Sequence, residues 1–158
     1  MNEDLQKALK ADLALLALED HLIQRAGVLY RMGFTPDRIT PTQMAAVAER
    51  IYTASNYEEA RNTVIKFLTD QLNKLRAKAE RSDQQTSWAL RPLTGGGKET
   101  LGQTLSYWIE KEQFLQGKET PEDLDRLVAL RRFWARFYGR YRYRAEMSQD
   151  MPLQCGQE

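Results

Sequence analysis

The chain has 158 residues and a net charge of +1, with 42% hydrophobic and 28% charged residues, one histidine and one cysteine. That length suits one domain and buries about 70% of the unfolded surface without a staple. A lone cysteine, Cys155, excludes a disulfide framework and a cysteine-built zinc site. No apolar run approaches a membrane span, and the opening MNEDLQKALK alternates charge with leucine rather than forming a signal peptide. A cytoplasmic protein is expected.

The first element runs from about Glu3 to Met32. Leu9, Leu13, Leu16, Ile23 and Tyr30 keep a three-and-four spacing, and Leu15, Leu22 and Leu29 repeat every seven, which makes two adjoining apolar stripes on one helix. Asn2 can cap it, Glu3 and Asp4 suit its positive end, Arg25 and Arg31 suit its negative end, and Gly33 ends it. Next, Thr40, Pro41 and Gln43 form a capping box with proline at the first helical position, and Ile39 and Met44 occupy the two places of a hydrophobic staple. That helix, 41–53, carries Met44, Val47, Ala48, Ile51 and Tyr52 on one side.

A second box, Ser55 to Glu58, opens a longer helix over 56–82 through Tyr57, Val64, Phe67, Leu68, Leu72 and Leu75. Residues 83–99 read as one long irregular connection ending in a triple glycine. Thr100 and Gln103 open a helix over 101–116 with Leu101, Leu105, Trp108 and Ile109, which stops near Gly117. Thr120 caps the last helix, 121–140, with Pro121 at its first position and Glu122 and Asp123 in its first turn. The only alternation resembling a strand is RYRYR at 140–144. The expected fold is therefore all-α, a single-domain bundle of about five helices over 1–147, with 148–158 as a flexible C-terminal tail.

Few segments carry chemistry. TGGGKET at 94–100 invites comparison with a phosphate-binding P-loop. However, Pro92 stands where the first glycine belongs, Glu99 replaces the hydroxyl after the lysine, and no strand precedes it. His21 lacks the partners of a metal pair, dyad or triad and reads as an ordinary boundary residue. Glu58, Glu59, Glu122 and Asp123 fall in first helical turns, where the helix dipole explains them. The sequence offers no active site, no metal site and no cofactor site.

The stretch RRFWARFYGRYRYR at 131–144 stands apart. Every residue except Ala135 and Gly139 is arginine or aromatic. From Arg126 to Arg144 there are seven arginines and no acid; removing that +7 from the net +1 leaves −6 elsewhere. On a helix, Arg132, Arg136, Arg140 and Arg144 form one stripe beside a second of Phe133, Phe137 and Tyr141, flanked by Trp134 and Tyr138. Phe133, Trp134 and Phe137 suit a bundle core. The arginines suit it less, because their i,i+4 pairs all repel unless acids elsewhere or an outside anion compensate. Arginine's planar fork matches phosphate and stacks on rings. With Tyr141 and Tyr143 as exposed rings, Arg132, Arg136, Arg140, Arg142 and Arg144 would form a surface for single-stranded nucleic acid. Lys66, Lys74, Arg76, Lys78 and Arg81 would extend it, although ordinary helix solvation explains those equally well.

Three segments, ITPTQMAAVAERIY at 39–52, IKFLTDQLNKLR at 65–76 and FWARFYGRYRY at 133–143, together resemble the small helical subunit of type III CRISPR effector complexes. They cover under half the chain, and the long first helix and triple-glycine loop have no counterpart. The resemblance implies a non-catalytic subunit whose copies stack side by side along a guide–target duplex, touching RNA backbone through basic side chains, with other subunits as partners. The rival reading is a helical adaptor or scaffold whose basic last helix docks an acidic protein, with tyrosines as interface anchors.

Overall fold

The computed structural model describes residues 2–81, 90–92, 98–122 and 124–150, with side chains over 2–74, 99–122 and 124–144. Five α-helices make the fold all-α: α1 (Glu3–Tyr30), α2 (Pro41–Thr53), α3 (Tyr57–Arg81), α4 (Leu101–Glu110) and α5 (Arg126–Asp150), with a 3₁₀ turn at Gln113–Leu115.

The helix starts follow local chemistry. Asn2 Oδ1 accepts the Asp4 amide at 2.8 Å. Thr40 and Thr100 each head a complete capping box with Gln43 and Gln103. Ile39 and Met44 are both fully buried, as a hydrophobic staple requires. Gly33, at φ 115°, takes the left-handed conformation just after α1, where a side chain would strain the backbone.

Two starts differ from the sequence reading. Asn56, not Ser55, caps α3: its Oδ1 accepts the Glu59 amide at 2.8 Å, while Glu59 Oε2 accepts the Ser55 amide at 2.9 Å. The box is displaced by one residue because both registers satisfy the same pattern. Thr120 does not cap α5, and Pro121 and Glu122 lie outside it; Asp123 falls outside the described residues. The chain instead makes a turn, Leu124 N–H to Pro121 C=O, that sends Leu124 into the core. Asp125 Oδ1 then accepts the amides of Leu127 and Val128 at 3.1 and 3.2 Å. One carboxylate satisfies two otherwise unpaired donors and fixes the start five residues late. The helix passes Gly139 and continues to Asp150, so RYRYR is helical.

The connection at 83–99 is not wholly irregular. Leu90–Pro92 (β1) and Lys98–Thr100 (β2) pair antiparallel, Arg91 opposite Glu99, and β2 runs directly into α4. The triple glycine at 95–97 and most of the polar stretch around Ser82 lie outside the described residues. Lys98 therefore sits on a strand, whereas a P-loop lysine sits at a helix N-terminus.

The core is a column of rings with aliphatic residues around it. Phe133, Trp134 and Phe137 are fully buried. Phe137 meets Phe34 edge-on at 5.1 Å and Trp134 at 5.2 Å, and Phe133 touches Phe114 at 5.5 Å and Trp108 at 6.1 Å. From α1 the core takes Leu15, Leu18, Leu22, Ala26 and Leu29. From α4 it takes Leu101, Leu105, Trp108 and Ile109. Tyr57 and Arg126 both donate to Glu112 Oε1, at 3.1 and 3.0 Å, and hold that residue at φ 51° between α3 and α5.

Candidate nucleic-acid interface

Arg136 of α5 meets Glu19 of α1, and Arg140 lies against Gly27 and over Tyr30 a few turns further on. The two helices therefore run side by side in the same direction. Between them lies an open groove of about 960 Å³, lined by Arg31, Arg136, Arg140, Arg144, Tyr30 and Tyr143 among others. Four arginines around one groove make a concentrated positive field.

The single-sign stripe is partly compensated from within. Arg136 donates through Nε and Nη2 to Glu19 Oε1, and Arg132 Nη1 lies 3.6 Å from Glu19 Oε2. Two guanidiniums thus share one carboxylate, and the cluster keeps a net charge of +1. Arg131 faces elsewhere and donates to the carbonyls of Ile51, Tyr52 and Ala54, closing the C-terminal end of α2. Arg126 is held by Glu112.

The seven residues expected from sequence fall into three groups. Arg136, Arg140, Tyr143 and Arg144 line the groove, and Arg132 stands at its Glu19 end. Arg142 lies on the flank, with its guanidinium 6.0 Å from the centre of the Tyr138 ring. Tyr141 is a correction. Its ring is fully buried rather than exposed, and its hydroxyl donates to the Ile39 carbonyl. Gly139 does not interrupt the helix, so the four-residue spacing carries Tyr141 on into the core. Burial pushes its phenol up to about 12, neighbouring Tyr138 adds to the rise, and Arg142 opposes it. Tyr143, 62% accessible, is the exposed ring.

No described residue of the third helix lines this groove, whose lining comes from α1, α5 and Arg31, the residue that closes α1. Lys66 pairs with Asp70 at 3.0 Å, and the side chains of Arg76, Lys78 and Arg81 lie outside those described. Sequence reasoning missed the α1 wall: Ile23, Gly27, Tyr30 and Arg31. Gly27 carried a signal, since a mid-helix glycine sacrifices about 1 kcal/mol against alanine and calls for a packing reason. A Cβ there would come within 2.7 Å of Arg140 Nη1, so the glycine gives that guanidinium its place against α1.

His21 is half-buried beside Gly117. Burial and then Arg25 lower its pKa, against a hydrogen bond with the Gln116 backbone. Among the described residues no three His, Cys, Asp or Glu side chains gather as metal ligands, and no helix is long and apolar enough to cross a membrane. No family model, curated protein or solved structure matches the chain.

Proposed function

We propose that the chain is a non-catalytic subunit of a CRISPR-type ribonucleoprotein effector complex that holds RNA backbone in the groove between α1 and α5. The observation that supports this is the convergence of Arg31, Arg136, Arg140 and Arg144 with the exposed ring of Tyr143 around one open surface. Guanidinium forks bind phosphate oxygens in pairs, and a tyrosine face stacks on a base whatever its identity. Backbone contacts carry no sequence information, so binding is insensitive to RNA sequence. The effector-complex assignment rests on the three resembling segments, of which FWARFYGRYRY supplies most of the α5 wall.

The test is a titration of labelled single-stranded RNA of mixed sequence against wild type and an Arg140→Ala, Arg144→Ala double variant. Arg136 is spared because it also holds Glu19. The double variant should lose affinity by about tenfold or more, the weight of two charge-assisted contacts, with unchanged circular dichroism. Equal affinities, or no binding at low salt, would reject RNA. The acidic-protein reading would then explain the arginines better, since Glu19 already shows a carboxylate fitting two of them.

A further inference from the structure

The sequence places two apolar stripes on α1, and the bundle consumes only one. Leu15, Leu18, Leu22, Ala26 and Leu29 are buried, whereas Leu5, Leu9, Leu13, Leu16 and Ile23 stay exposed, Leu13 and Leu16 by about two-thirds. The exposed set keeps helical spacing from Leu5 to Ile23, a seam about 27 Å long. Residues 2–10 are all exposed, so the first turns of α1 stand clear of the bundle. An isolated helix of that length is marginal in water, and a continuous apolar seam on it marks a contact surface.

We propose that this seam pairs with the same seam of a second copy, antiparallel, in a closed two-fold dimer. The register follows from the leucines. With the two-fold axis level with the midpoint of Leu13 and Leu16, each Leu13 packs on the partner's Leu16. Leu9 falls across from the partner's Asp20, which Lys10 in the next position reaches, so the dimer has two such ion pairs, one at each end of the central contact. Leu5 arrives beside the partner's Ile23, at the mouth of the arginine groove.

Charge also favours a second copy. Asp12 is exposed and lies two turns before Glu19, on the same flank of α1, the flank that faces α5. In this register the partner's Asp12 comes level with residue 17, one half-turn from Glu19. It thereby reaches the cluster in which Arg132 and Arg136 share a single carboxylate. The second carboxylate neutralises what the first leaves over, and two-fold symmetry repeats the contact. The partner's first turn and its Asp12 then meet the groove mouth and the arginine cluster that the RNA reading uses, so dimer and RNA compete there, and the pairing closes at two copies rather than continuing as a stack.

Sedimentation velocity on nucleic-acid-free protein over a wide concentration range tests it. Wild type should pass from monomer to dimer and stop there. Leu9→Asp with Leu16→Asp should raise the dissociation constant about a hundredfold, since each substitution strikes the interface twice. Asp12→Arg, which leaves the leucines intact, should raise it about tenfold. Both variants should keep the wild-type circular dichroism, because the altered side chains lie outside the core. In a Cys155→Ser background, Leu5→Cys protein mixed with Ile23→Cys protein should form the mixed disulfide, while Leu5→Cys alone should not crosslink. A monomer at every concentration, growth beyond two copies, or a Leu5→Cys homodisulfide would overturn the proposal.

Discussion

Tyr141 follows Phe137 by four residues and Phe133 by eight, so its place in the ring column was legible from spacing. What concealed it was the strand-like RYRYR at 140–144, which put the expected helix end at residue 140, just past Gly139, where the helix continues without a break. What no local pattern contains is the partner of its hydroxyl, the Ile39 carbonyl 102 positions earlier. Arg131 has the same character: inside an arginine run it looks like one more surface cation, but its targets are the final carbonyls of α2. The Tyr141 phenol makes an alkaline prediction. Its pKa rises from 10.0 to about 12, so the folded state holds the proton more tightly than the unfolded chain. The associated stability is complete below pH 10 and is lost as pH climbs toward 12. Tyr57, also raised by burial and by Glu112, contributes in the same direction. Denaturant midpoints measured from pH 8 to 12 should fall above pH 10, and Tyr141→Phe should fall less steeply. A Tyr141→Phe curve parallel to wild type would show that the phenol is not held as the geometry implies.

Helix starts separate cleanly into those that sequence fixes and those that packing moves. Thr40 and Thr100 each stand three residues before a glutamine, and no competing box lies nearby. Ser55 and Asn56 offer overlapping boxes, and only the backbone decides between them. At the last helix, Thr120 and Pro121 make the stronger local signal, while Asp125 lacks the glutamate or glutamine that would complete a box. Burial of Leu124 overrides propensity there. Replacing Thr40, Thr100, Asn56 or Asp125 singly with alanine should destabilise the fold by about 1 kcal/mol, and Ser55→Ala or Thr120→Ala by much less. Urea denaturation of the six variants orders them. A Thr120→Ala cost equal to that of Asp125→Ala would mean that the helix begins earlier in solution. The short pairing of β1 with β2 had no signal at all, since three-residue strands beside a proline carry no alternation to read.

For the whole molecule, the arrangement of α1 against α5 decides what the arginines can do, and that arrangement is long-range. Periodicity revealed a basic stripe and an aromatic stripe, but not which acid would face the first. Glu19, 117 positions from Arg136, is the answer: its carboxylate is shared by Arg132 and Arg136 at one end of the stripe, while Arg140 lies over Tyr30 and Arg144 acts on Asp37 at the other. Glu19 therefore acts as a tether that an RNA phosphate must compete with. Glu19→Gln removes its charge while keeping nearly the same shape. Surface ion pairs of this kind contribute at most about 1 kcal/mol, so the variant should fold with little loss of stability. If the groove holds RNA, its affinity should rise, because phosphate no longer competes with a carboxylate for Arg136 and Arg132 adds one further phosphate contact. The salt dependence distinguishes this from a nonspecific gain. Four arginines on four phosphates give wild type a slope of log affinity against log salt near −3 for a single strand, and each further phosphate adds about −0.7. Glu19→Gln should be steeper by about one such increment. An unchanged affinity and slope in Glu19→Gln would place the bound strand away from this cluster, and a loss of affinity would contradict the competition outright.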